Sequence, residues 1–234
     1  MKRKKAPASQ RPFVERVRER EERLYAGKLR DDDPGLMKEE RRFWHFRPSH
    51  HAATGLITQE DIALLSRPGK RLLSVGASPA FLERLLVDLG VPAQNILVTD
   101  KDPAITNAAG PIPSLAFDMH GTWPETGTFD RIIFPESLCI AIRDRLPKED
   151  NADHHLDEGE TALLTAIFRR AVARLQPGGV LRANGPMSHP KVMQAATAAL
   201  REEGYVLAAD CRRFFLSLRV TRSCSTGAPR ESRT

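Results

Sequence analysis

Gly76 and Asp100, 24 residues apart, have the types and spacing to hold a ligand. The apolar run Leu72–Val75 ends at Gly76, and a turn of small residues follows. Ser78 can cap a helix there and Pro79 suits its first turn. Phe81, Leu82, Leu85 and Leu86 then fall on one helical face. A second apolar run, Ile96–Val98, ends at Thr99-Asp100. A helix N-terminus beside a small-residue turn presents backbone N–H groups without intrahelical partners. An acid at the end of the next strand can accept hydrogen bonds from both hydroxyls of a ribose. The order strand, turn, helix, strand, acid therefore points to a nucleoside-containing cofactor.

The elements that must position these residues alternate. The reading starts with a helix opened by Pro12 and running to about Leu29. The break Asp31–Gly35 comes next, then a second helix over about Leu36–Phe46. A loop, SHHAATG, leads to a short helix from about Gln59 to Leu65, where Thr58 and Asp61 approach a capping box. Strands are expected over about 71–75, 95–99, 114–117, 131–134 and 180–183. Helices are expected over about 79–89, 103–108, 161–175 and 191–203. The final strands, 205–209 and 214–220, are joined by about four residues. That is too short for a crossover helix, so they pair as an antiparallel hairpin. The fold expected is α/β: a seven-stranded, mostly parallel, doubly wound sheet with that C-terminal hairpin. A basic tail (1–10) and a helical extension (11–68) precede the sheet domain (69–222), and a tail (223–234) follows.

Composition narrows the classes. The chain has 234 residues, 41% apolar and 28% charged, which suits a globular domain. No apolar run approaches the length of a membrane span. MKRKKAPASQ is followed by no apolar h-region, so a secretory leader is not expected. Cys139, Cys211 and Cys224 are odd in number and lack metal-ligand spacing, which suits free thiols and a cytoplasmic location. Residues 1–50 hold fifteen Lys/Arg against nine Asp/Glu, which accounts for the chain's whole net charge of +6. The basic arm leaves RNA open as a partner, although Glu15, Glu19, Glu21 and Glu22 also suit a solvated helix. The near-neutral remainder favours a small-molecule partner, with no membrane.

Four segments, in order, carry a resemblance: LLSVGASPA, LVTDKD, FDRIIFPESL and LQPGGVLRANG. Over about Arg71–Val220 the chain resembles the class I S-adenosylmethionine-dependent methyltransferases. That family has a seven-stranded sheet whose last strand inserts antiparallel. The resemblance implies S-adenosylmethionine as cofactor and methyl transfer to an unidentified acceptor. It implies a cofactor site of Ser74, Gly76, Ala77, Ser78, Asp100, Lys101, Asp118 and Met119. Gly76 would let the backbone pass the cofactor, Asp100 would hold the ribose and Asp118 would meet the adenine amino group. The family usually has an acid where this chain has Ser74, and glycines where it has Ser78 and Ala80. Two other readings of the fold stand beside this one: aminocarboxypropyl transfer from the same cofactor, and a non-catalytic scaffold. A dinucleotide oxidoreductase is disfavoured, because GASPAF lacks the later glycines of that fingerprint and the hairpin is foreign to that fold.

Methyl transfer from a sulfonium needs an in-line nucleophile, and a base only where the acceptor must lose a proton. Glu136, just past the fourth strand, is the candidate base or acceptor-orienting group, and His120 is the second catalytic candidate. FPES is not the Asn/Asp-Pro-Pro-aromatic pattern of enzymes that methylate amino groups on bases. Asp102 suits an N-cap for the helix opened by Pro103. His154 and His155 lie among acids, but adjacent residues rarely aim at one ion. That segment reads as a solvated loop, and no metal is expected. Phe43, Trp44 and Phe46 are expected to dock on the core or to cover the site.

Overall fold

A computed structural model describes residues 11–25, 47–77, 80–103, 109–135, 137–138, 158–184, 190–212 and 215–222. The expected second helix, the helix near 103–108, the two tails, Ser78, Glu136, Cys139 and the His154-His155 loop lie outside these residues.

The short apolar runs form the strands. These are β1 (Leu72–Val75), β2 (Ile96–Asp100), β3 (Ser114–Ala116), β4 (Phe129–Pro135), β5 (Leu175–Asn184), β6 (Val206–Arg212) and β7 (Phe215–Arg222). They make one seven-stranded sheet in the order β3-β2-β1-β4-β5-β7-β6. β1 to β5 pair parallel, and β7 runs antiparallel to both β5 and β6. The mostly parallel sheet and the terminal hairpin are as expected. The order reverses at β1, which pairs with β2 on one side and β4 on the other. The carboxyl ends of these strands therefore open a crevice at the switch point, where ligands bind in such sheets.

Alternation along the strands sends side chains to two cores. Leu73, Val75, Ile132 and Phe134 pack against α5 (Glu158–Val172) and α6 (Pro190–Glu202) on one face. Leu72, Ile96, Val98 and Ile133 pack on the other. There they meet α1 (Arg11–Tyr25), α2 (Pro48–Thr54), α3 (Gln59–Leu65) and α4 (Phe81–Asp88). The N-terminal helices thus share the core of the sheet. Tyr25 closes α1 onto α4: its hydroxyl donates to the Phe81 carbonyl at 2.9 Å. Burial pushes its phenol up to about 12.

Several elements differ from the sequence reading. Residues 48–54, expected as loop, form α2. Pro48 suits the first helical position, and Gly55, with φ 88°, ends the helix in the left-handed region. A helix of seven residues with three buried side chains shows too little periodicity to be recognised. α4 begins at Phe81 with Ala80 as its N-cap, two residues later than the cap the sequence suggests. β5 begins at Leu175, before the Pro177-Gly178-Gly179 segment. Its pairing with β4 jumps from Phe129↔Leu175 to Arg131↔Val180, so that segment is a bulge.

Asp61 ties the helical layer to the sheet. Thr58 and Asp61 form a complete capping box on α3. The same carboxylate accepts from Arg131 Nε of β4 at 2.5 Å and is paired with Arg182 of β5. Asp61 is wholly buried. Burial alone would push its carboxyl up, but Arg182 and Arg131 outweigh that and hold it below the usual range. Removing the acid strands two largely buried guanidinium groups. Asp61→Ala is expected to cost about 3–5 kcal/mol in urea denaturation. A loss below about 1 kcal/mol would show that the triad contributes no more than a surface pair.

Candidate functional site

The ends of β1 and β2 are locked together by one residue. The Thr99 carbonyl accepts from the N–H of Gly76 at 2.7 Å and of Ala77 at 3.1 Å. The Thr99 hydroxyl donates to the Ser74 carbonyl at 2.8 Å. The chain then swings away at Gly76, whose φ of 69° is costly for any residue with a Cβ. Space forbids a side chain as well. A Cβ there would lie 2.3 Å from Ser137 Cβ and 3.4 Å from Met119 Cε. Ser137 is fixed by its own hydroxyl, which donates to the Val75 carbonyl at 2.6 Å. The backbone after β1, Met119 after β3 and Ser137 after β4 therefore meet at one point above the switch of strand order.

Two acids frame this point. Asp100 ends β2, and its Oδ1 accepts the Asp102 N–H at 3.0 Å. Asp118 follows β3, and its Oδ1 accepts the His120 N–H at 2.9 Å. Each carboxylate is thus held at its strand end by an Asx turn, the geometry of a turn cap. Both remain half-buried, while Lys101 beside Asp100 is exposed.

Not every candidate converges here. His120 lines a shallow cleft of about 530 Å³, whose other walls include Trp123, Arg170 and Arg174. None of the expected cofactor residues lines that cleft. Arg170 donates to the His120 carbonyl at 3.1 Å and Arg174 to the Trp123 carbonyl at 2.7 Å. Arg174 Nε is buried with no hydrogen-bond partner. Among the described residues no group of three or more His, Cys, Asp or Glu is placed to hold a metal ion.

Ser74 is wholly buried, and its hydroxyl donates to Glu83 Oε1 of α4. Sequence reasoning missed Glu83, because it lies off the Phe81, Leu82, Leu85, Leu86 stripe. The available signal was Ser74 itself: a lone hydroxyl within a buried strand needs a partner. Glu83 is only 1% exposed, and burial pushes its carboxyl up to about 7, with the Ser74 hydrogen bond opposing the shift. A second polar cluster was also missed. At the carboxyl end of β5, Asn184 Nδ2 lies 3.0 Å from both His51 Nδ1 and Thr54 Oγ1 of α2.

No protein-family model matches the chain, and no curated protein is similar to it in sequence. Solved structures do match it. The sugar N-methyltransferase KedS8 of Streptoalloteichus sp. is 17% identical over 82% of this chain and 94% of its own, with a TM-score of 0.51. The N-methyltransferase NodS of Bradyrhizobium japonicum, solved with S-adenosyl-L-homocysteine, is 17% identical over 89% and 98%, with a TM-score of 0.47. At such identity the first of these likenesses establishes architecture: the chain has the fold of the class I S-adenosylmethionine-dependent methyltransferases.

Two outcomes test this geometry. Ala80 is the one described non-glycine residue with positive φ, at 62°. Ala80→Gly relieves that conformation and is expected to stabilise the fold by about 1 kcal/mol in thermal unfolding; destabilisation would refute the strain. Glu83 titrates higher in the folded than in the unfolded chain. Its contribution is therefore intact below about pH 4.5 and is lost as pH rises towards 7. Relative to Glu83→Gln, the native chain should lose about 3 kcal/mol over that window. Parallel stability curves would contradict the assignment.

Proposed function

We propose that the protein is a methyltransferase using S-adenosylmethionine and acting on a small-molecule acceptor. The observation that carries this reading is the meeting of Gly76, Met119 and Ser137 over the switch point, with Asp100 at the adjoining strand end. A side chain at Gly76 would collide with Ser137, so glycine is what lets the backbone pass this close to the strand ends. In this reading Asp100 receives the ribose hydroxyls. Asp118 and Met119 border the adenine, and Gly76 and Ala77 pass beside the amino-acid end of the cofactor. Ser74 supports the turn through its partners rather than by reaching a ligand. The bound cofactor supplies the electrophilic methyl group.

The protein's own part is to hold that cofactor rigidly and to place an acceptor in line with it, which supplies much of the rate for a good leaving group. Glu136 follows Pro135, the last residue of β4, in the chain and remains the candidate for orienting the acceptor or taking its proton. The sugar N-methyltransferase with the same fold supports a small-molecule acceptor. RNA remains a partner to test through the basic residues 1–10. No described helix is long and apolar enough to cross a membrane.

Calorimetric titration with S-adenosylmethionine and S-adenosyl-L-homocysteine is the direct test. Micromolar binding is expected. Asp100→Ala should weaken it at least tenfold while leaving the unliganded melting temperature within a degree or two. Undiminished affinity in that variant would remove Asp100 from the ribose site. A folded protein that binds neither ligand would leave Asp100 and Asp118 as turn caps and the fold as a scaffold.

A further inference from the structure

Four carboxyl groups are buried among the described residues: Glu21, Asp61, Glu83 and Asp130. Three have a basic partner. Asp61 is held by Arg131 and Arg182, Asp130 by Lys70 at 2.8 Å, and Glu21 lies 4.0 Å from Arg47. Among the described residues Glu83 is hydrogen-bonded to the Ser74 hydroxyl and to its own backbone, with no ion-pair partner. A buried carboxyl without an ion-pair partner is costly when ionised, so burial favours its protonated form and a positive charge arriving beside it favours release of the proton.

Glu83 is tied to the end of β1. Ser74 links the Glu83 carboxyl to the strand end that Thr99 clamps, two residues before Gly76. Glu83 occupies the first turn of α4, the helix whose N-cap is Ala80, four residues beyond Gly76. The charged groups around it are few. On its own helix are Arg84, a weak influence, and Asp88. α1 brings Glu21 and the neutral phenol of Tyr25. α2 brings His50 and His51, the latter beside Asn184. Asp100 ends β2. Among the described residues Glu83 makes no ion pair, and the weak field of Arg84 is the positive influence on it.

We propose that Glu83 is the counter-charge for a cationic group bound at the Gly76 turn, and that it releases its proton when that group binds. This rests on the cofactor reading above, under which the cation is the ammonium of the amino-acid end. It assigns to α4 the acidic function that β1, with Ser74, does not provide.

The test is calorimetry of the full chain at pH 6.5 with S-adenosyl-L-homocysteine, in two buffers of different ionisation enthalpy. Proton release per ligand should be clear at pH 6.5 and should fall as the pH is raised to 8. Glu83→Gln, which mimics the protonated acid and should fold, is expected to bind at least tenfold more weakly with no linked proton. 5′-Methylthioadenosine lacks the amino-acid end, and it should bind both proteins equally without proton release. Binding of S-adenosyl-L-homocysteine with the same affinity and proton count in both proteins would overturn the role of Glu83 and leave the cofactor reading intact. Failure of the folded native chain to bind either nucleoside would overturn both.

Discussion

The site depends on Thr99 holding two parallel strands to a common end. Its carbonyl accepts from the first two N–H groups beyond β1, and its hydroxyl donates to the Ser74 carbonyl of that strand. Two adjacent strands that stop in register leave a ledge, and the chain must leave that ledge through a residue without a side chain. Gly76 provides the exit, while Ser137 and Met119 fix how little room it has. Gly76 and Asp100 lie along this ledge, at the ends of β1 and β2. Shifting any one strand would separate Asp100 from the turn.

Architecture was readable because it rests on periodicity and loop length, which are local properties. Short apolar runs separated by helical stretches gave the parallel sheet. Asp210–Arg213 was too short for a crossover and so required the hairpin that places β7 between β5 and β6. Thr58 and Asp61 announced a cap three residues apart, and the box is complete. The positions that misled are those where a tertiary partner decides. Residues 48–54 look like loop until Glu21 of α1 accepts the Ser49 N–H at 2.7 Å and the sheet covers His51 and Ala52. Asp61 carried a helix cap in the sequence reading. Its larger role needs Arg131 and Arg182, which are 70 and 121 residues away.

The candidate site divides along the same line. Gly76 and Asp100 were visible because a turn and a strand end each leave a local mark. Glu83 was hidden because it is polar on a helix whose apolar stripe already explained its burial. The serine that partners it read as a missing acid. Position 74 and position 83 become one feature only when α4 folds back on β1. Ala80 shows a milder version of the same effect. In the sequence it replaces a glycine with little change of size, but in the fold it must hold a left-handed conformation.

The Asp61 triad also bears on how the chain is made. α3 and its cap are local and can form soon after they are synthesised, but the aspartate then carries a charge whose two partners do not yet exist. At roughly 5–20 residues per second, β5 emerges several seconds after α3. Until Arg182 arrives, the helical layer cannot settle on the sheet without burying an incompletely paired carboxylate. The N-terminal helices are thus made first and docked late. A nascent chain interrupted before β5 would expose the apolar faces of α1, α2 and α3 to solvent and to chaperones.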